Sequence, residues 1–218
     1  MKKYFLIIFS FLLIDQILKI YVKTHFELGG GISIFPFFQI CFVENPGMAY
    51  GIHFGFGYHG KIFLSLLRFF LIFLIFIFLY KNIKKGSSKY LMISISLILS
   101  GSMGNFLDSA LYGLLFDKGT VYSQEYHKWI SYFGISKINS NIFSLNYTRG
   151  YAPFMGGCVV DMFYFPIIDI YFPCWIPFFG GYNFKFFKPV FNLSDIVISI
   201  GVFLLFIFKH KMKDIKIL

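Results

Sequence analysis

Charge is what this sequence of 218 residues has least of: 14% of it is Asp, Glu, Lys or Arg, and ten residues are acids. Soluble domains carry about 25% charged residues. A soluble core of this size could not hide the 57% of the chain that is hydrophobic, and a disordered chain would be poor in such residues. Cysteine is scarce as well. Cys41, Cys158 and Cys174 are odd in number and have no CxxC spacing, so they indicate neither a zinc site nor a fully paired disulfide set. The five histidines form no HExxH. Ser102 sits in no GxSxG elbow, and the glycines of 51–60 lack the GK[ST] ending of a phosphate loop. No basic groove with interleaved aromatics is present, which excludes nucleic acid as the partner of the +10 net charge.

What is abundant is phenylalanine, 33 residues of it, beside many Ile, Lys and Tyr. AT-rich coding would inflate that composition, but it would not arrange it into spans. Four stretches are apolar over about the 20 residues that a membrane helix needs: Tyr4–Val22, Ile62–Tyr80, Tyr90 to about Leu107, and Leu193–Phe208. The first is not read as a cleaved leader, because no small-residue cleavage site follows and Asp15, Gln16 and Lys19 interrupt it. Lys2 and Lys3, then Lys81, Lys84, Lys85 and Lys89, then Lys209, Lys211, Lys213 and Lys216 hold half of the twenty basic residues beside one acid, Asp214. The positive-inside rule therefore predicts both termini and the second connection in the cytoplasm, against anionic phospholipid. The segments 24–61 and 108–192 are predicted on the outer face. The expected fold is an α-helical membrane protein of one domain, residues 1–218: a four-transmembrane-helix bundle with a small extracytoplasmic β-rich element and an extended outer loop. Alternation over Ile32–Val43 suggests the β element, and the Trp- and Tyr-bearing segment 111–190 suggests an ordered, partly interfacial subdomain.

Ionisable residues inside spans are costly and usually functional. At 1.5 Å per residue, Asp15 lies roughly 17 Å from the inner boundary, Asn105 about 22 Å with Asp108 a turn further, and Asp195 roughly 20 Å. Three helices thus deliver polar groups to one level. Beside them stand three strings: Asn45-Pro46-Gly47-Met48-Ala49-Tyr50-Gly51, Val159-Val160-Asp161-Met162 and Phe191-Asn192-Leu193-Ser194-Asp195. Two carboxylates held close share a proton, so one can accept from water while the other donates. Each residue also has a plainer reading. Asp15 and Lys19 can pair at i and i+4, Asn105 and Asp108 can glue packed helices, Asp161 can be a solvated loop acid, and Asp195 can serve the helix dipole. Arg68 reads as snorkelling to headgroups. A transporter or channel subunit would want a continuous polar path, but the inner halves of the spans are nearly all Phe, Leu and Ile. A headgroup-modifying enzyme would want a metal-binding motif such as DxxD, which is missing.

Taken together the strings resemble bacterial lipoprotein signal peptidase, the signal peptidase II type of membrane aspartic protease, in its Bacteroidetes-like form. The resemblance rests on Asp15-Gln16-Ile17-Leu18-Lys19, Asn45 to Gly51, Gly104-Asn105-Phe106-Leu107-Asp108, Val159 to Met162 and Phe191 to Asp195, in order along nearly the whole chain. It implies removal of the signal peptide from a diacylglyceryl-modified prolipoprotein, on the amino side of the lipidated Cys, without metal or cofactor and with inhibition by globomycin. It implies a catalytic dyad of Asp161 and Asp195. Asp15, Lys19, Asn45, Gly47, Ala49, Asn105, Asp108 and Asn192 line or support the site. The implied partners are lipidated prolipoproteins and membrane phospholipid, and the implied setting is a monomer in the bacterial inner membrane. Two departures stand out: Ser109 where many members carry Arg, which removes a possible ion-pair partner of Asp108, and Ser194 where Ala is usual. Residues 111–155 resemble an insertion.

Overall fold

The computed structural model describes residues 2–47, 57–139, 150–166, 168–171, 173–175, 177, 181, 183–186 and 189–211. Helix α1 (Lys2–His25) leads into an antiparallel pair, β1 (Gly31–Phe35) and β2 (Phe38–Asn45). Helices α2 (Tyr58–Lys85) and α3 (Lys89–Leu107) follow. A π turn, Asp108–Tyr112, carries α3 on into a last single turn, α4 (Gly113–Leu115). A small hairpin, β3 (Val121–Ser123) and β4 (Lys128–Ile130), precedes β5 (Val159–Tyr164). A second hairpin, β6 (Ile168–Tyr171) and β7 (Asn183–Phe186), precedes α5 (Leu193–Ile207).

Three of these helices, α1, α2 and the continuous 89–115 unit, are long and apolar enough to cross a bilayer. Their large side chains face outward, as lipid contact requires; Leu6, Phe63, Phe69 and Phe70 are all more than half exposed. The third apolar helix runs further than the sequence suggested, because the π turn adds a residue to the ladder instead of ending it. The fourth is shorter than the expected Leu193–Phe208. Its 15 residues rise about 22 Å, less than the roughly 30 Å of a hydrocarbon core. It begins where the sequence placed it, capped by Asn192, and ends one residue early, at Ile207.

Small residues let α3 approach its neighbours closely. A Cβ at Gly101 would strike the Ser194 carbonyl, and one at Gly201 would crowd the Ser94 carbonyl and Ile98. The hydroxyls of Ser94 and Ser96 return to their own helix at 2.9 and 2.6 Å, while Ser100 donates to the Ile8 carbonyl of α1 at 2.9 Å. Tyr4, Ile8, Leu79, Leu91, Met92 and Leu99 form the core at one end of the bundle, the end that carries the lysine-rich segments.

The opposite end is built on a three-stranded sheet of order β1-β2-β5. Val43 pairs with Asp161 and Asn45 with Val159. Strand alternation sends Val160 and Met162 into a core with Val22, Phe42, Tyr112 and Phe116, leaving Asp161 on the other face. This core encloses an ion pair. Lys23 Nζ bonds Glu44, with both side chains sealed from solvent, and also donates to the Lys118 carbonyl at 3.0 Å. The Thr120 N–H donates to the second Glu44 oxygen at 2.6 Å. The rings of Phe42, Phe116, Tyr132 and Tyr151 surround the ammonium at 5.0 to 5.6 Å. One buried pair therefore ties α1, β2 and the 116–138 segment together. Trp129, stacked edge-on with Tyr58 and Tyr122, fixes the segment to α2. Cys41, Cys158 and Cys174 are free thiols, and burial pushes the Cys158 thiol up to about 12.

Removing one member of a buried ion pair strands the other and costs about 3–5 kcal/mol. Glu44→Leu is therefore expected to lower the thermal midpoint in detergent markedly. The double variant Lys23→Met, Glu44→Leu recovers only part of it, because the Thr120 N–H and Lys118 carbonyl still lose their partners. Melting curves of the two variants beside the parent check this, and full recovery in the double variant would contradict the role given to the backbone partners.

Candidate active site

Helix α1 places Asp15 and Lys19 one turn apart on its buried face, at 2% and 0% exposure. Lys19 Nζ lies 2.9 Å from Asp15 and 2.8 Å from Asp108, and donates to Asn105 Oδ1 at 2.9 Å. The two carboxylates around this one cation then reach different elements. Asp15 Oδ1 accepts from the Ser194 N–H at 2.9 Å, so it satisfies an orphan donor of the first turn of α5. Asp108 Oδ2 accepts from the Val160 N–H at 3.2 Å and so holds β5, while Oδ1 accepts from Gln16 at 2.9 Å. Tyr112 donates to Gln16 Oε1 at 3.1 Å. The π turn is what brings Asp108, Ser109 and Tyr112 inward together; all three are buried.

Asp195 and Asp161 are held through asparagines. Asn192 is the N-cap of α5 and forms a capping box with Asp195 at the third helical position. The Asp195 N–H donates to Asn192 Oδ1 at 3.0 Å, and the Asn192 N–H donates to Asp195 Oδ2 at 3.1 Å. The side-chain amide of the same Asn192 donates to Asp161 Oδ1 at 2.6 Å. One residue thus bonds both carboxyl groups. Asn105 supplies a further donor to Asp195 Oδ1 at 2.8 Å, and Asn45 one to Asp161 Oδ2 at 3.3 Å. Asn45 Oδ1 accepts from the Gly47 N–H at 2.9 Å, just past the end of β2.

Asp161 is 4% exposed and lies within a strand, where the sequence admitted a solvated loop acid. Burial raises its carboxyl to about 7, and the neighbouring Asp195 charge adds to the rise; the Asn192 and Asn45 donors oppose it. A carboxyl that holds its proton near neutrality, bonded through one asparagine to a second carboxyl, can act as acid while its neighbour acts as base. Among the described residues no three of His, Cys, Asp and Glu cluster as metal ligands.

Of the residues singled out in the sequence, Asp15, Lys19, Asn45, Gly47, Asn105, Asp108, Asp161, Asn192 and Asp195 meet at this end of the bundle. Ala49 lies outside the described residues, as do Met48, Tyr50 and Gly51. Arg68 is a correction. It does not snorkel outward; its Nη1 donates to Ser109 Oγ at 3.2 Å, and Ser109 donates to the Asn105 carbonyl at 3.2 Å. The shorter Ser109 leaves the space into which the guanidinium reaches. Asp108 needs no cation from position 109, because Lys19 and Gln16 already hold it. Gln16 and Tyr112 were not singled out as site residues. Gln16 gave a faint signal as a polar break in an apolar run, and Tyr112 gave none. The N-x-x-D spacing of Asn192 and Asp195 is a helix-start signature, legible once the helix is known to begin there.

The chain is 42% identical over 197 residues to the lipoprotein signal peptidase of Porphyromonas gingivalis, covering 90% of this chain and 77% of that one. It is 32% identical over 201 residues to the lipoprotein signal peptidase of Amoebophilus asiaticus, covering 90% and 73%. Two solved structures of bacterial membrane enzymes, determined by the in meso method, share the fold. One has a TM-score of 0.55 at 22% identity, over 99% of this chain and 96% of the other. The second has a TM-score of 0.56 at 21% identity, over 99% and 92%. The family model described as signal peptidase (SPase) II matches residues 7–210. The chain belongs to the signal peptidase (SPase) II family.

Proposed function

We propose that this lipoprotein signal peptidase is an aspartic endopeptidase that cuts diacylglyceryl-modified prolipoproteins on the amino side of the lipidated Cys, with Asp161 and Asp195 as the dyad. The observation that carries the reading is the double grip of Asn192 on both carboxyl groups, through its amide to Asp161 and its backbone N–H to Asp195. In this scheme the dyad holds one proton. The ionised carboxyl takes a proton from water, which attacks the scissile carbonyl; the protonated carboxyl polarises that carbonyl and then protonates the leaving amine. Asn105 and Asn45 hold the outer oxygens of the pair, and Lys19, Asp15 and Asp108 keep the three elements in register. Gly47, bonded to Asn45, borders the site, and Ala49 is given a supporting part by the resemblance alone.

The proposed setting is a monomer in the inner membrane. The lysine-rich end of the bundle then faces the cytoplasm and the dyad faces the outer leaflet, with α5 completing a four-helix bundle. A site at that level suits a substrate held by its own acyl chains, which enters sideways between helices. The cluster of Tyr4, Leu91 and their neighbours at the lysine-rich end supports a closed inner half rather than a transport path.

Asp161→Asn and Asp195→Asn are each expected to abolish processing of a lipidated precursor in a gel-shift assay, while the parent enzyme cuts it and globomycin blocks the cut. Normal processing by either variant would sink the dyad assignment.

Proton linkage gives two further outcomes. The Asp161 carboxyl is raised in the folded chain to about 7, and the pair titrates as a unit. Activity is therefore expected to fall as pH rises through about 7, when the dyad loses the proton it needs. The folded chain also binds a proton that the unfolded chain releases from about pH 4 upward. That contribution weakens the fold between about pH 4 and 7 and levels off above, by a few kcal/mol in all. Asp161→Asn removes it, so the melting temperature of the variant relative to the parent is expected to rise from pH 4 to pH 8. A difference independent of pH would contradict the raised carboxyl.

A further inference from the structure

Helix α2 carries a half-buried arginine that the proteolytic scheme does not use. The guanidinium of Arg68 offers five donors. One reaches Ser109, and no carboxylate of the described residues lies within ion-pair distance of the group. Arg68 stands at the rim of a cavity of about 300 Å³ between α2, α3 and α5. Asn105 and Ser102 supply the remaining polar lining; Leu71, Ile72, Ile75 and Ile198 supply the apolar part. The positions 68, 71, 72 and 75 share one helical face, and they descend from the depth of the dyad toward the lysine-rich end. Leu71 is 48% exposed, so the cavity opens sideways to the apolar exterior. Its polar end abuts the site, because Asn105 donates directly to Asp195. A slot with a donor-rich cationic end beside the reacting acids and an apolar end at bilayer depth fits a neutral acceptor oxygen attached to a long hydrocarbon chain.

We propose that Arg68 binds an ester carbonyl of the substrate's diacylglyceryl group, with one acyl chain in the cavity below it. The inference rests on the reading of the chain as a peptidase for diacylglyceryl-modified precursors. A hydrogen bond from a charged donor strengthens binding by at least about tenfold, and here that gain falls on KM, because the carbonyl is remote from the scissile bond.

The test uses the full-length enzyme in detergent and two synthetic lipopeptides, one with ester-linked chains and one with ether-linked chains that lack the carbonyl. The parent is expected to favour the ester lipopeptide by roughly tenfold in kcat/KM, through KM. Arg68→Leu is expected to erase that preference by raising KM for the ester lipopeptide alone, and Arg68→Lys to restore part of it. Ile75→Trp, which narrows the slot and leaves Arg68 in place, is expected to raise KM for long-chain but not short-chain esters, and keeps the test open if Arg68→Leu does not fold. The proposal is overturned if the parent cuts both lipopeptides equally, or if Arg68→Leu keeps the ester preference. It is also overturned if Arg68→Leu lowers kcat alike on both substrates. A parent enzyme that cuts neither lipopeptide would instead overturn the reading of the function itself.

Discussion

One ammonium group holds the polar end of this molecule together. Lys19 is sealed from solvent and bonds two carboxylates and an asparagine side chain. Charges in such a place are tolerable only when paired and hydrogen-bonded, so the position of Lys19 fixes those of Asp15, Asp108 and Asn105. Each of these three passes the constraint to another element. Asp15 receives the first turn of α5, Asp108 receives the backbone of β5, and Asn105 receives a carboxylate oxygen of Asp195. Three helices and a strand are thereby registered to one another by groups that water cannot replace.

The dyad proposed above inherits its geometry from that framework. Asn192 can serve two carboxyl groups because it is a helix cap and lies beside the strand that carries Asp161. Its backbone and amide are both donors, and they point to different elements. The ion pair of Lys23 and Glu44 does for the 116–138 segment what Lys19 does for the site. It stands a further turn along the same face of α1, boxed by aromatic rings instead of by more acids. One helix face, read as Asp15, Lys19 and Lys23, thus anchors both halves of the polar end.

Much of the cluster was legible from the sequence, because charge is rare in it. A carboxylate or lysine inside an apolar run is conspicuous, and positions along three runs put Asp15, Asn105, Asp108 and Asp195 at one level, where hydrogen bonds and ion pairs join them. The β element over Ile32–Val43 was legible through its alternation, and it appears as β1 and β2. Other features left little trace. A π turn has no periodic signature over five residues, so the inward turn of Ser109 and Tyr112 could not be read. The direction of Arg68 depends on what stands opposite it across the bundle, and a single helix does not encode that. The length of α5 was misjudged by one residue at its end, and its start is held by two other elements, Asn192 by β5 and Ser194 by α1.

The sequence by itself determined that the chain meets lipid, which ends of its helices carry positive charge, and which few polar residues lie too deep to be ornamental. These follow from composition and spacing, because burial of apolar groups and the cost of buried charge act on each residue where it stands. Only the tertiary structure decided which donor faces which acceptor: Asn192 between Asp161 and Asp195, Lys19 between Asp15 and Asp108, Arg68 against Ser109. Pairings of this kind join residues up to 179 positions apart, as the Ser194 N–H and Asp15 are. Hydrogen bonds are satisfied by proximity and direction in space, and neither is written into the local order of the chain.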